Sequence, residues 1–164
     1  MDRTALAGQG FSYIAEQITA MKDGKRPNVQ MAPIVKDLSA QDMADLGAYF
    51  ARQTPVGREA DASTWTAGEK LYRNGDTTRG IPACMACHGP AGKGNPAASY
   101  PALRAQHAVY TVKQLNDYAN EARYTKDAQG KSQANANAQM MQTIASRLTA
   151  DERRNLASYI QGMR

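Results

Sequence analysis

The stretch Cys84-Met85-Ala86-Cys87-His88 decides how this chain is read. C-x-x-C-H is the pattern of a covalent attachment site for a c-type haem. Two thiols separated by two residues share one turn, so each can add to a vinyl group of the same porphyrin and form a thioether bond. His88 is then held beneath the ring, where a neutral imidazole nitrogen can bind the iron. The sequence holds two cysteines, so the expectation is one haem, attached through Cys84 and Cys87. A zinc site needs four ligands, and the only other histidine is His107. A thioredoxin-like pair opens a helix after a buried strand, and no βαβ pattern surrounds this one.

Outward from the motif, apolar residues recur at helical spacing and never alternate as in strands, which predicts an all-α chain. A loop of small residues, Gly89-Pro90-Ala91-Gly92-Lys93-Gly94-Asn95-Pro96, follows the motif and can lie close to a flat ligand. Thr66-Ala67-Gly68-Glu69 reads as a capping box for a helix ending at Gly75. Ser39-Ala40-Gln41-Asp42 and Thr149-Ala150-Asp151-Glu152 read the same way; the first opens a helix that carries Met43, Leu46, Tyr49 and Phe50, the second a closing helix with Leu156, Tyr159, Ile160 and Met163 as its inner face. Further helices are expected over 9–23, from 106 to about 122 with Val109, Val112, Leu115 and Tyr118 near one face, and over 140–148. Residues 54–63 are polar and aperiodic, a linker. Residues 125–137 are polar enough to be a surface loop.

Composition limits the alternatives. No apolar run approaches the ~20 residues of a membrane span, and Met1-Asp2-Arg3-Thr4-Ala5 shows no signal peptide, although c-type haem is normally attached outside the cytoplasm. The net charge of +5 comes from residues 61–164, where thirteen Lys/Arg stand against eight Asp/Glu. Such a surface can steer an acidic protein partner. No basic cluster is tight enough to track a nucleic acid.

The chain also repeats itself. Leu6, Gln9, Tyr13 and Gln17 fall on Leu103, Gln106, Tyr110 and Gln114 at an offset of 97; Met31, Ile34, Leu38, Leu46 and Tyr49 fall on Met141, Ile144, Leu148, Leu156 and Tyr159 at an offset of 110. The expectation is a complete haem-binding domain over 65–164 and a linker over 54–64. Residues 1–53 would be a truncated copy, lacking everything equivalent to 65–97.

On these residues the chain resembles cytochrome c4, a periplasmic family of two tandem class I cytochrome c domains. The likeness is carried by the C-x-x-C-H, by Gly80-Ile81-Pro82-Ala83 before it, by Tyr100-Pro101-Ala102-Leu103 and Gln106-His107-Ala108-Val109-Tyr110 after it, and by Ser158-Tyr159-Ile160-Gln161-Gly162. It implies a class I cytochrome c fold around the haem. In place of the family's two-haem relay, it implies a soluble carrier of one electron at a time, passing electrons from a membrane-bound quinol-oxidising complex to a terminal oxidase. Peripheral membrane association is compatible with that role.

The sixth iron ligand must come from outside the motif. Met85 lies within it, on the wrong side of the ring, and Met163 lies in the closing helix, which leaves Met140 and Met141. The repeat favours Met141, which pairs with Met31 at equal distance from the following helix cap, and in the family the methionine at this place is the distal ligand. Pro101 resembles the proline whose carbonyl accepts the proximal histidine's N–H. His107 matches a non-ligand position, and Met31 is left to packing. With both axial places filled, no substrate can reach the iron. Two other readings compete: a peroxidase-type enzyme with an open iron position, and a haem-free product with a binding or structural role.

Overall fold

The computed structural model describes residues 4–163. Eight α-helices follow one another: α1 (Phe11–Lys22), α2 (Ala32–Val35), α3 (Ala40–Ala51), α4 (Trp65–Asn74), α5 (Met85–His88), α6 (Ala108–Ala119), α7 (Ala136–Ser146) and α8 (Ala150–Gly162). Two 3₁₀ turns, Thr77–Arg79 and Pro96–Ala98, flank α5. Among the described residues there is no strand, only three isolated bridges. The all-helical expectation holds.

Two of the three expected capping boxes form. Ser39 Oγ accepts from Asp42 N while Asp42 returns a bond to Ser39 N, 3.1 and 2.8 Å, and Thr149 and Glu152 do the same at 3.2 and 2.8 Å. The third does not. Helix α4 starts at Trp65 with Thr64 at its N-cap and no side-chain cap bond. Glu69 is engaged instead by Arg73 Nε at 2.9 Å, an i,i+4 pair. Gly75 ends α4 as expected, at a φ of 64°.

Helices α1 and α6 both start two residues after the expected 9 and 106, for one reason. Gln9 Oε1 bonds Gly10 N at 3.1 Å and Gln106 Oε1 bonds His107 N at 3.0 Å, so each glutamine serves as a turn residue ahead of its helix. Helix α6 stops at Ala119 because Glu121 takes a φ of 54°. Gly24, with a φ of 70°, holds the equivalent place after α1. Tyr49 and Val109, apolar positions of their helices, are 62% and 63% exposed. Residues 125–137 are more ordered than a surface loop. Thr125 N bonds Lys25 O at 2.8 Å, Ala134 is buried, and α7 starts at Ala136 rather than Met140.

The main core is Tyr72, Ile81, Leu148, Leu156, Ile160 and Met163, with Leu71, Cys84, Met85, Leu103, Leu115, Ile144 and Tyr159 against it. It exists because α4 crosses α8 closely at Gly68, where a Cβ would collide with the Asn155 carbonyl group.

The first fifty residues lie against the rest through an exchange of equivalent bonds. Gln9 bonds the main chain of Ala102, and Gln106 bonds the main chain of Ala5. Arg26 reaches Tyr110 Oη at 3.2 Å, and Arg123 reaches Tyr13 Oη at 2.9 Å. Every one of these pairs is related by the offset of 97, so the sequence repeat appears in space as an approximate two-fold relation.

Candidate haem site

The attachment stretch hangs between two loops of one design. Gly75-Asp76-Thr77-Thr78-Arg79-Gly80-Ile81-Pro82 and Gly94-Asn95-Pro96-Ala97-Ala98-Ser99-Tyr100-Pro101 each begin with a glycine at positive φ, 64° and 73°. In each, an Asp or Asn side chain caps a 3₁₀ turn. Each turn ends in a left-handed residue, Gly80 or Ser99. Each then closes by a two-bond bridge, Asp76 with Ile81 (2.7 and 2.8 Å) and Asn95 with Tyr100 (2.9 and 3.0 Å). A Cβ on Gly94 would strike the Tyr100 carbonyl oxygen at 2.5 Å and the Pro101 carbonyl carbon at 2.6 Å, so glycine is required there for the second loop to fold over the motif.

Within this bracket, Cys84 stands at the N-cap of α5 and Cys87 on its single turn. The two are not joined in a disulfide. Burial pushes the Cys84 thiol up to about 11. His88 is 6% exposed, and its Nδ1 lies 2.9 Å from the Pro101 carbonyl oxygen. A carbonyl can only accept, so Nδ1 carries the proton and Nε2 is left with its lone pair. Burial lowers the His88 pKa, against the upward pull of the Pro101 bond, and the neutral ring is the form that binds a metal. Paired thiols on one turn beside an oriented, buried, neutral imidazole are the donor set a covalent haem requires.

Tyr72, buried on α4, braces the motif from outside it. Its hydroxyl donates to the Gly89 carbonyl at 2.7 Å, fixing the residue that follows His88. Gly94 N bonds the His88 carbonyl at 2.9 Å, and Gly92 O accepts from Leu103 N at 2.8 Å. The segment with Pro101 is thereby tied back onto the motif loop.

The two candidate methionines separate. Met140 is 43% exposed. Met141 is half-buried and lies one turn before Ile144 on α7, a residue that packs against the main core. Met31 is at the N-cap of α2, Met85 packs on the core and Met163 is buried in it. His107 takes the N-cap position of α6 without a side-chain cap bond.

Residues 65–164 match the Cytochrome c family. The chain is 41% identical over 158 residues to cytochrome c4 of Pseudomonas aeruginosa, covering 96% of this chain and 74% of that protein. The chain belongs to the cytochrome c4 family. Its cofactor is accordingly covalently bound c-type haem, and Cys84 and Cys87 are the pair with attachment spacing. Its function is electron transfer. The structure of reduced recombinant cytochrome c4 from Pseudomonas stutzeri superposes with a TM-score of 0.87 at 36% identity, covering 98% of this chain and 85% of that one. The chain is also 34% identical over 158 residues to a thiosulfate dehydrogenase electron acceptor of Thiomonas intermedia, covering 94% of this chain and 68% of that protein. Among the described residues of this cytochrome, no helix is long and apolar enough to cross a membrane.

Proposed function

We propose that this cytochrome c4 is a periplasmic one-electron carrier whose haem iron is held by His88 and Met141, and that it takes electrons from a membrane quinol-oxidising complex and delivers them to a terminal oxidase. Residues 65–164 form the haem domain in this reading, 1–53 a partial copy of it, and 54–64 the connection. The observation that carries the reading is the 2.9 Å contact between His88 Nδ1 and the Pro101 carbonyl. It fixes the tautomer and the ring plane and leaves Nε2 for iron.

With haem bound, the chemistry on offer is reversible exchange of one electron at iron. The polypeptide holds the site still while that happens. Pro101 orients His88, Tyr72 pins Gly89, and Ile81, Leu148 and Leu156 exclude water. A thioether donor in a low-dielectric surround disfavours the extra charge of ferric iron and raises the potential. Met141 bound to the iron would leave no open position for a substrate, which would separate a carrier from a peroxidase-type enzyme.

The test is expression with a cytochrome maturation system and export to the periplasm. The expected product carries one haem by mass and a low-spin spectrum. Met141→Ala should lose the weak near-infrared band of ferric iron–thioether bonding and bind carbon monoxide quickly when reduced, while Met140→Ala should do neither. The reverse pattern would move the ligand to Met140. The relative named as a thiosulfate dehydrogenase electron acceptor favours a second electron donor. Reduction rates with a purified thiosulfate dehydrogenase and with a quinol-oxidising complex decide between them.

A further inference from the structure

The Pro101 carbonyl can orient His88 only if the Pro101–Ala102 segment is itself held in place. Its neighbours are held locally, Tyr100 by Asn95 and Leu103 by Gly92. Ala102 is not. Its main-chain N–H donates to Gln9 Oε1 at 2.7 Å, and its carbonyl accepts from Gln9 Nε2 at 3.0 Å. Gln9 is buried and ninety-three residues away in the chain. One amide side chain thus occupies both main-chain groups of Ala102, as a neighbouring strand would.

We infer that Gln9 is a positioning residue for the haem iron, acting through Ala102, Pro101 and His88. The bond from His88 Nδ1–H to Pro101 strengthens the imidazole as a donor and so favours ferric iron. If the segment is released, that bond lengthens, the imidazole donates less, and the reduction potential rises. The first fifty residues then do more than pack beside the haem domain. They set how strongly the iron holds its electron. The inference rests on His88 as a haem ligand, and failure of that reading shows first, as wild-type protein without covalent haem or with attached haem that is not low-spin.

The two-fold relation supplies an internal control. Gln106 makes the same pair of bonds to Ala5, with Oε1 accepting from Ala5 N at 2.8 Å and Nε2 donating to Ala5 O at 3.0 Å. Ala5 does not adjoin the haem motif. Gln9→Ala and Gln106→Ala therefore each remove a pair of main-chain bonds across the same contact, Gln106→Ala with a further bond to Thr4 Oγ1 at 3.0 Å, and only the first pair is linked to His88. In the haem-loaded protein, spectroelectrochemical titration should show Gln9→Ala shifted to higher potential and Gln106→Ala at the wild-type value. The His88 Nδ1 proton should exchange with solvent faster in Gln9→Ala alone. Gln9→Met, which keeps the volume and removes both bonds, serves if the alanine variant does not accumulate. Equal shifts in the Gln9 and Gln106 variants, or none in either, would overturn the inference.

Discussion

Gly68 is the point at which the fold can be tested by adding a single methyl group. In Gly68→Ala, the new Cβ would lie 2.5 Å from the Asn155 carbonyl carbon and 3.0 Å from Leu156 N, with the Asn155 oxygen nearer still. Ordinary contact requires about 3.4–4 Å, so α4 and α8 must separate by roughly 1 Å. A gap of that order forfeits about a quarter to a half of the contact energy of each side chain bridging the crossing. Tyr72, Leu156 and Ile160 bridge it, all buried. At about 2–3 kcal/mol per buried side chain, the loss is about 2–4 kcal/mol. Replacing a helical glycine by alanine returns ~1 kcal/mol of propensity. Crossing geometry wins, for a net destabilisation of about 1–3 kcal/mol. In a chain of this length each kcal/mol lowers Tm by about 2–4 °C, so a 2 kcal/mol effect lowers it by about 4–8 °C. Thermal unfolding of the haem-loaded protein, followed by far-ultraviolet circular dichroism, reads this directly. Gly24→Ala is the comparison. Nothing lies within 4 Å of its Cβ, and only the left-handed backbone strain remains, about 1–2 kcal/mol. A Gly68→Ala protein that melts at or above the wild-type temperature would refute the argument.

Two further outcomes concern the walls of the site. Tyr72→Phe keeps the ring and leaves the Gly89 carbonyl without its donor, which should cost about 1–3 kcal/mol in urea unfolding; an unchanged midpoint would mean the bond contributes nothing to holding Gly89. Asp76 is held down to about 2, first by its bond from Thr78 and then by Arg79. A depressed carboxyl stabilises above its unfolded pKa near 4 and loses that contribution as pH falls through the folded value. The difference in Tm between wild type and Asp76→Asn should therefore be full at pH 5 and close as the pH approaches 2. A gap constant across that range would exclude Asp76 as its source.

What could be read in advance was local. The capping boxes at 39–42 and 149–152 each need two side chains three residues apart, and both form. At 66–69 the spelling is right and the structure differs, since Glu69 has an arginine one turn ahead competing for it. Spacing could identify the attachment motif, and resemblance could single out Pro101, because each depends on a short stretch. Ala102 and Gln9 are ninety-three residues apart, and no periodicity joins them. The offset of 97 that pairs Gln9 with Gln106 was visible, but not that each glutamine reaches into the other half. The order in residues 125–137 was hidden for a similar reason. It comes from Thr125 bonding to Lys25, a partner that composition cannot show.

The contact between the two halves has a consequence for how this cytochrome responds to salt. Its arginines, Arg26 and Arg123, end on tyrosine hydroxyls and the amides of Gln17 and Gln114, and among the described residues no ion pair crosses the contact. Mobile ions screen charge against charge, and here they find no opposite charge to mask. The halves should stay joined at ionic strengths that strip a redox partner from the outer surface. Any salt dependence of electron transfer then belongs to the encounter between proteins and leaves the interior of this one untouched.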